Sequence, residues 1–220
     1  NTASEVDFNQ ATLYENMNRI VKLIGYKPTG KQTSVVPINA IAGSLLTKGN
    51  YTIRKYSYFL ADSSTQYTFN EDYSFDKTLT GSEDIKALND NVILYQGTVA
   101  EYPDYIAQGI DFETLPIVVQ SISDTDTRFI ADNTISVYVK ETASDAYFEY
   151  REVDSLYLTN STDRMYERRL NENGFFEIKF GDGSFGKKLK KDDIVSINYI
   201  LSDSNRGIIS KNTINGNKIF

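Results

Sequence analysis

The chain has 220 residues, enough for one large domain or two small ones with cores of their own. It contains no Cys and no His, which excludes disulfides, a thiolate nucleophile, a cysteine-bound zinc and a Ser-His-Asp triad within the chain. A net charge of −7 would repel a phosphate backbone, so nucleic acid is not an expected partner.

Catalysis would have to rely on Asp, Glu, Lys, Tyr or Ser alone. The expectation is a non-enzyme with no cofactor, no metal and no small-molecule substrate. The longest apolar run, Leu115 to Val119, is too short to cross a bilayer, so no membrane partner is expected. Aromatic residues make up 13%, as 16 Tyr and 12 Phe with no Trp, a profile that suits β-sheet surfaces and interfaces. The chain opens without Met and without a charged-then-apolar leader, and it reads as a fragment or a processed product.

In chain order, the first predicted element is an amphipathic helix. Leu13, Met17, Ile20 and Ile24 recur at helical spacing, with Val21 alongside them. Thr12 and Glu15 fit a capping box, Gly25 suits the position after the last turn, and Pro28 blocks continuation. From Thr12 to Ile24 the rod would be about 20 Å long, too short to stand alone in water, so its stripe must dock. Leu13, Met17, Ile20, Val21 and Ile24 are therefore candidate subunit-interface residues, against this chain's own domain or against another copy.

After the polar connector Thr29 to Ser34 the apolar period changes to two. Predicted strands are Ser34 to Ile38, Tyr51 to Tyr58, Gln66 to Phe69, Asn91 to Thr98 and Ile117 to Ile122. They continue with Thr134 to Lys140, Ala146 to Arg151, Leu156 to Thr159, Phe175 to Phe180 and Ile194 to Leu201. Turn-rich pieces such as Lys48-Gly49-Asn50, Asp132-Asn133 and Asn171 to Gly174 separate the runs. The predicted fold is mainly β with an N-terminal α-helix (α+β), built from antiparallel sandwich or partial-barrel modules. Its expected division is an arm at 1–28, a β-rich domain at 29–110, a second at 111–209, and a polar connector at 210–220.

Charge is unevenly distributed. From Ala87 to Thr127 there is no Lys or Arg, while Arg164, Arg168, Arg169, Lys187, Lys188, Lys190 and Lys191 cluster later. These read as solvated faces of opposite sign, or as head-to-tail complementarity between neighbouring subunits.

The glycine-rich bend after Phe180 admits three readings. Gly181, Gly186 and Lys187 form G-x-x-x-x-G-K, but Lys188 stands where a P-loop has its hydroxyl, and strand-like residues follow instead of a helix. Gly181, Gly183 and Gly186 also match G-x-G-x-x-G, again without the helix that would hold a pyrophosphate. Asp182 stands without the alternating carboxylates of a calcium loop. The third reading is a structural hairpin through Phe180, Gly181, Asp182, Gly183 and Gly186. In it Phe176, Ile178 and Phe180 face a core and pair with Val195, Ile197 and Tyr199 of a returning strand.

The run Phe176 to Gly183, with Gly186, Leu189, Asp193 to Val195 and Tyr199, resembles the strand–FGDG–strand element of baseplate J-like proteins of contractile-tailed bacteriophages. The segment Leu23 to Pro28 resembles that family's helix end, and Leu46-Thr47-Lys48-Gly49 its first-strand start, with Thr47 where a proline is usual. The likeness spans residues 13 to 205. It implies a virion structural protein of the T-even-type baseplate wedge, assembled in the host cytoplasm. It also implies partners in copies of itself, as a homodimer or ring, and in other wedge proteins, in a baseplate whose rearrangement triggers sheath contraction.

Two other functions compete. Tyr51, Tyr56, Tyr58, Tyr102 and Tyr105 could stack on sugar rings in a glycan-binding tail module. Glu101 with Asp104, or Asp124 with Asp126, could serve a hydrolase only if held apart across a cleft, which near neighbours in turn-like sequence rarely achieve.

Overall fold

A computed structural model of the chain describes residues 29–61, 65–85, 88, 92–119, 127–144, 146–171 and 173–203. The helix expected over Thr12 to Ile24, with its stripe Leu13, Met17, Ile20, Val21 and Ile24, lies outside the described residues, as does the connector 210–220. What is described is mainly β. Among these residues no helix is long and apolar enough to cross a membrane.

The chain divides into two compact units, each discontinuous in sequence. One draws its described residues from 29–31, 101–119 and 135–198, the other from 32–100, 127–134 and 199–203. The expected consecutive division at about 110 therefore gives way to an interleaved one. Periodicity marks strands, but which strands share a core depends on pairings far apart in sequence.

The second unit contains β1 (Val35–Ile38), β2 (Ile41–Ala42), β3 (Gly49–Ile53), β4 (Tyr58–Leu60), β5 (Gln66–Phe69), β6 (Tyr73–Lys77), β7 (Glu83–Asp84) and β8 (Val92–Gln96). An antiparallel sheet runs β1-β8-β5-β4, while β3 with β6 and β2 with β7 form two-stranded ribbons. In β8, Val92 and Leu94 point inward onto Phe59, Tyr67 and Phe69, and the alternate Ile93 is exposed. The predicted strand Tyr51 to Tyr58 is broken in two. Residues 54–57 form a turn in which Tyr56 takes a positive φ of 71° and donates its amide to Phe69 O.

The remaining strands are β9 (Thr98–Ile106), β10 (Thr114–Ile117), β11 (Phe129–Ile130), β12 (Ser136–Lys140), β13 (Tyr147–Val153), β14 (Met165–Leu170), β15 (Phe176–Lys179) and β16 (Ile194–Ser202). In the first unit the order is β9-β16-β12-β13-β14-β15-β10. Its two edges, β9 and β10, are consecutive in sequence and joined only by 107–113, so the sheet curls into a nearly closed barrel. Leu115, Ile117, Val137, Val139, Ile178 and Ile197 are buried along its strands. Pro37, Pro103 and Pro116 all sit in edge strands (β1, β9 and β10), where a missing N–H costs no ladder bond.

Two further strand expectations are corrected. The strands flanking the glycine bend do not pair with each other: β15 lies between β14 and β10, and β16 pairs with β12 through Val137↔Ile197 and Val139↔Val195. The hairpin through Phe180, Gly181, Asp182, Gly183 and Gly186 is therefore a turn between strands of different neighbourhoods. Alternation sets which face a side chain takes, and it is silent on the partner strand. The facing itself is as expected, with Phe176, Ile178, Phe180, Val195, Ile197 and Tyr199 all buried.

Residues 156–158, read as a strand, form a single 3-10 turn. Strands β13 and β14 are parallel, with Arg151 opposite Met165, so the chain between them must cross over and return.

Candidate interaction surface at the barrel end

Three loops of the barrel unit meet around the glycine turn. They are 107–113, the crossover 154–164 and 181–193. The turn is closed on itself: Gly183 N donates to Gly186 O at 3.1 Å, and Asp182 takes the amides of Ser184 and Phe185 at 2.8 and 2.7 Å. The Phe185 amide, with that of Ser184, holds the Asp182 carboxyl below the usual range. Glycine is required at 181, since a Cβ there would stand 2.3 Å from the Gly186 carbonyl. Gly186 itself takes a φ of 73°. No helix follows the turn, and Lys188 pairs with Asp111 at 2.6 Å, so the phosphate-loop geometry is missing.

Two buried carboxylates pin the neighbouring loops. Glu113 accepts from Tyr105 Oη at 2.8 Å, Gln108 N at 2.7 Å and Gly109 N at 3.0 Å, which ties β9 to the start of β10 across the barrel's seam. Its own carbonyl accepts from Phe180 N at 2.9 Å. Asp193 accepts from Thr142 N, Thr142 Oγ1 and Lys190 N at 2.7, 2.5 and 2.9 Å. Each charge is buried, and each is met by three donors, the condition under which a desolvated carboxylate stabilises its loops.

Large apolar side chains face outward from the crossover, which the neighbouring loop holds through Lys187 N donating to Asp163 O at 2.8 Å. Leu158 is 86% exposed and Tyr157 58%. Tyr157 meets the Phe185 ring edge-on at 5.1 Å and the Phe112 ring at 6.0 Å, and Lys179 Nζ lies 4.1 Å from the Phe112 centroid. Phe112 has a φ of 50°, a left-handed conformation that costs a bulky residue about 1–3 kcal/mol and needs surrounding structure to enforce it. That structure is the Glu113 clasp beside it. Ring and cation contacts of this kind contribute about 0.5–1.5 kcal/mol each. They organise the rings without burying them. Leu158 also borders an open groove lined by Glu152, Val153, Asp154, Ser155 and Thr159.

The other site candidates fall elsewhere. Among the basic residues, Arg164 and Lys187 both hold Glu141 (2.8 and 2.5 Å), Arg168 pairs with Glu152 and Arg169 with Glu167. Those charges are engaged within the chain. Burial alone would raise the Glu141 carboxyl, but hydrogen bonds from Arg164 and Lys187 outweigh it and hold it below the usual range.

Of the tyrosines, Tyr51 stacks on Phe75 and donates to Thr47 O, the Tyr56 hydroxyl is buried, and Tyr105 serves the Glu113 clasp. Tyr58 is 36% exposed and Tyr102 half-buried. Glu101 accepts from Ser196 Oγ and Asp104 is exposed, while Asp124 and Asp126 lie outside the described residues.

Phe112, Tyr157, Leu158 and Lys179 were not singled out by sequence. The signal was faint: an apolar triplet at 156–158 bounded by Ser155 and the polar run Asn160-Ser161-Thr162. Comparison with protein-family models, with curated proteins and with solved structures finds no match.

Proposed function

We propose that this chain is a non-catalytic assembly subunit, a structural component of a contractile-tail baseplate wedge. It would work by being held between neighbours in a particle that rearranges to trigger sheath contraction. The observation that carries the assembly part is the set of exposed apolar side chains Tyr157, Leu158 and Phe185, mounted on a crossover turn anchored by buried Leu156 and by the Lys187 N–H to Asp163 O bond, and on the closed glycine turn beside it. A contact surface built this way loses little conformational freedom on docking, so more of its apolar burial reaches the binding free energy. The tail context rests on the Phe176 to Gly183 resemblance, whose Gly-Asp-Gly corner is here a closed structural turn.

The test is co-expression of the full chain with the tail proteins encoded beside it, followed by affinity purification and cross-linking mass spectrometry. Stable co-purification with at least one of them is expected. A chain that associates with none, at concentrations up to about those of protein interfaces of micromolar affinity, removes the reading.

A further inference from the structure

Two turns of the barrel unit place a carboxyl or amide side chain directly before a glycine, at Asp182-Gly183 and Asn173-Gly174. At such a step the glycine nitrogen, which no Cβ shields, can attack the preceding side-chain carbonyl carbon. The first step is guarded. The Asp182 carboxylate is engaged by the amides of Ser184 and Phe185, and Gly183 N donates to Gly186 O. The second stands in the open: Asn173 is exposed, Gly174 takes a φ of 76°, and a Cβ built on Gly174 would meet nothing within 4 Å.

The open turn joins β14 to β15, and the bonds that close it converge on Asn171. The Asn171 N–H donates to Phe175 O and its carbonyl accepts from Gly174 N, both at 2.9 Å, while its Oδ1 accepts from Asn173 N and Phe175 N, both at 3.0 Å. These bonds use Asn173 through its backbone and not through its side-chain amide. We propose that Asn173 is a site of spontaneous deamidation and backbone isomerisation, gated by Asn171. When the turn opens locally, Gly174 N leaves the Asn171 carbonyl and bonds to Asn173 Cγ; its proton passes to the departing amide nitrogen, and ammonia is released. Water then opens the cyclic imide at either carbonyl, giving Asp or an isoaspartyl linkage in which Cβ has entered the main chain. The lengthened link misaligns the Asn171–Phe175 closure and frays the pairing of Leu170 with Phe176 beside it. The inference is independent of the assembly reading above.

Incubation of the full chain in mildly alkaline buffer, with peptide mapping by mass spectrometry at intervals, tests it. Mapping is required because Asn215 also precedes a glycine. The peptide that holds Asn173 is expected to gain the mass difference between amide and carboxyl, and to split into two chromatographic products, Asp and isoaspartyl. N171A removes the Oδ1 acceptor that ties Asn173 N and Phe175 N, and should quicken the reaction several-fold. N173Q should abolish it in that peptide, since the longer side chain closes a less favourable ring. The Asp182-Gly183 peptide should keep a single retention time throughout. Melting curves establish that N171A is folded; should it not be, wild type in rising sub-denaturing urea serves instead, with the rate at Asn173 expected to climb as the turn opens.

An Asn173 peptide that stays unchanged in the folded chain, while the same peptide reacts in the urea-unfolded chain, would show that the turn blocks the reaction and would overturn the site. A rate indifferent to N171A, or to urea, would remove the gate. Isomerisation at Asp182-Gly183 as fast as the reaction at Asn173 would show that turn closure does not discriminate between the two steps, and would sink the structural argument.

Discussion

The two units expose apolar side chains in different ways. At the barrel end Tyr157 and Leu158 stand on a turn anchored by buried Leu156 and by the Lys187 N–H to Asp163 O bond, and Phe185 on the closed glycine turn, beside loops that the Glu113 and Asp193 carboxylates hold. In the second unit Leu45, Ile41 and Leu79 are exposed at 98%, 71% and 56%, but the ladder nearest them, β2 with β7, has only two residue pairs. A comparable anchor among the described residues there is half-buried Glu83, whose carboxylate takes Thr78 N, Thr78 Oγ1 and Leu79 N. Exposure alone does not mark a contact surface, since soluble proteins show many lone apolar residues. What distinguishes the barrel end is that ordering has already been achieved before any partner arrives.

Four measurements sharpen or break that contrast, the largest effect first. Gly181→Ala should cost about 3 kcal/mol or more in urea unfolding, because the added Cβ meets the Gly186 carbonyl and Phe185 O within 2.4 Å and backbone cannot yield. Gly43→Ala in the second unit, with nothing within 4 Å of its Cβ, should stay within about 0.5 kcal/mol of wild type. Equal effects of the two would show that the barrel end is no more tightly built than the other.

Glu113→Gln comes next. An amide can accept only through one oxygen where the carboxylate serves three donors, so the loss should be about 1–3 kcal/mol. Hydrogen exchange at Gln108 and Gly109 should quicken with it; unchanged protection there would mean the clasp does not hold the loop. Asp182→Ala should act more locally, with faster exchange at the Ser184 and Phe185 amides and a smaller change in midpoint than at Glu113.

The smallest effect concerns acid. Glu141 has a lowered folded-state value, so its contribution is present above the unfolded carboxylate value of about 4.3 and is lost as pH falls through the folded one. Its partner Arg164 is 38% exposed, which screens the pair. Glu141→Gln should therefore flatten the acid side of the stability curve slightly and leave neutral-pH folding intact. An acid limb identical to wild type would assign acid sensitivity elsewhere.

Much of the strand content was legible because burial imposes period two directly on the residues. Gln66 to Phe69 matches β5, and Phe176, Ile178 and Phe180 point inward as their alternation requires. The bend chemistry was legible too, since Asp182 can reach its own amides without help from distant residues. The misses share another cause. Leu156 to Thr159 has a strand's composition, but the parallel step from β13 to β14 demands a crossover there. Strand β14, with Tyr166, Glu167 and Arg168 buried in succession, carries no clean alternation by which its sequence marks a strand. Phe112 belongs to the surface through a left-handed backbone that its residue type disfavours, so no local rule points to it.

Composition and short-range pattern alone determined that the chain is β-rich, that it lacks the side chains of the common nucleophilic triads and thiolate sites, and that glycines turn it after Phe180. Those properties depend on each residue and its near neighbours. Only the tertiary structure decided that β15 lies beside β10 and β14, that the units interleave, and that Phe112, Tyr157, Leu158 and Phe185 come together. Pairing partners are chosen by the joint burial of strands far apart in the chain, a collective free energy that no local window contains.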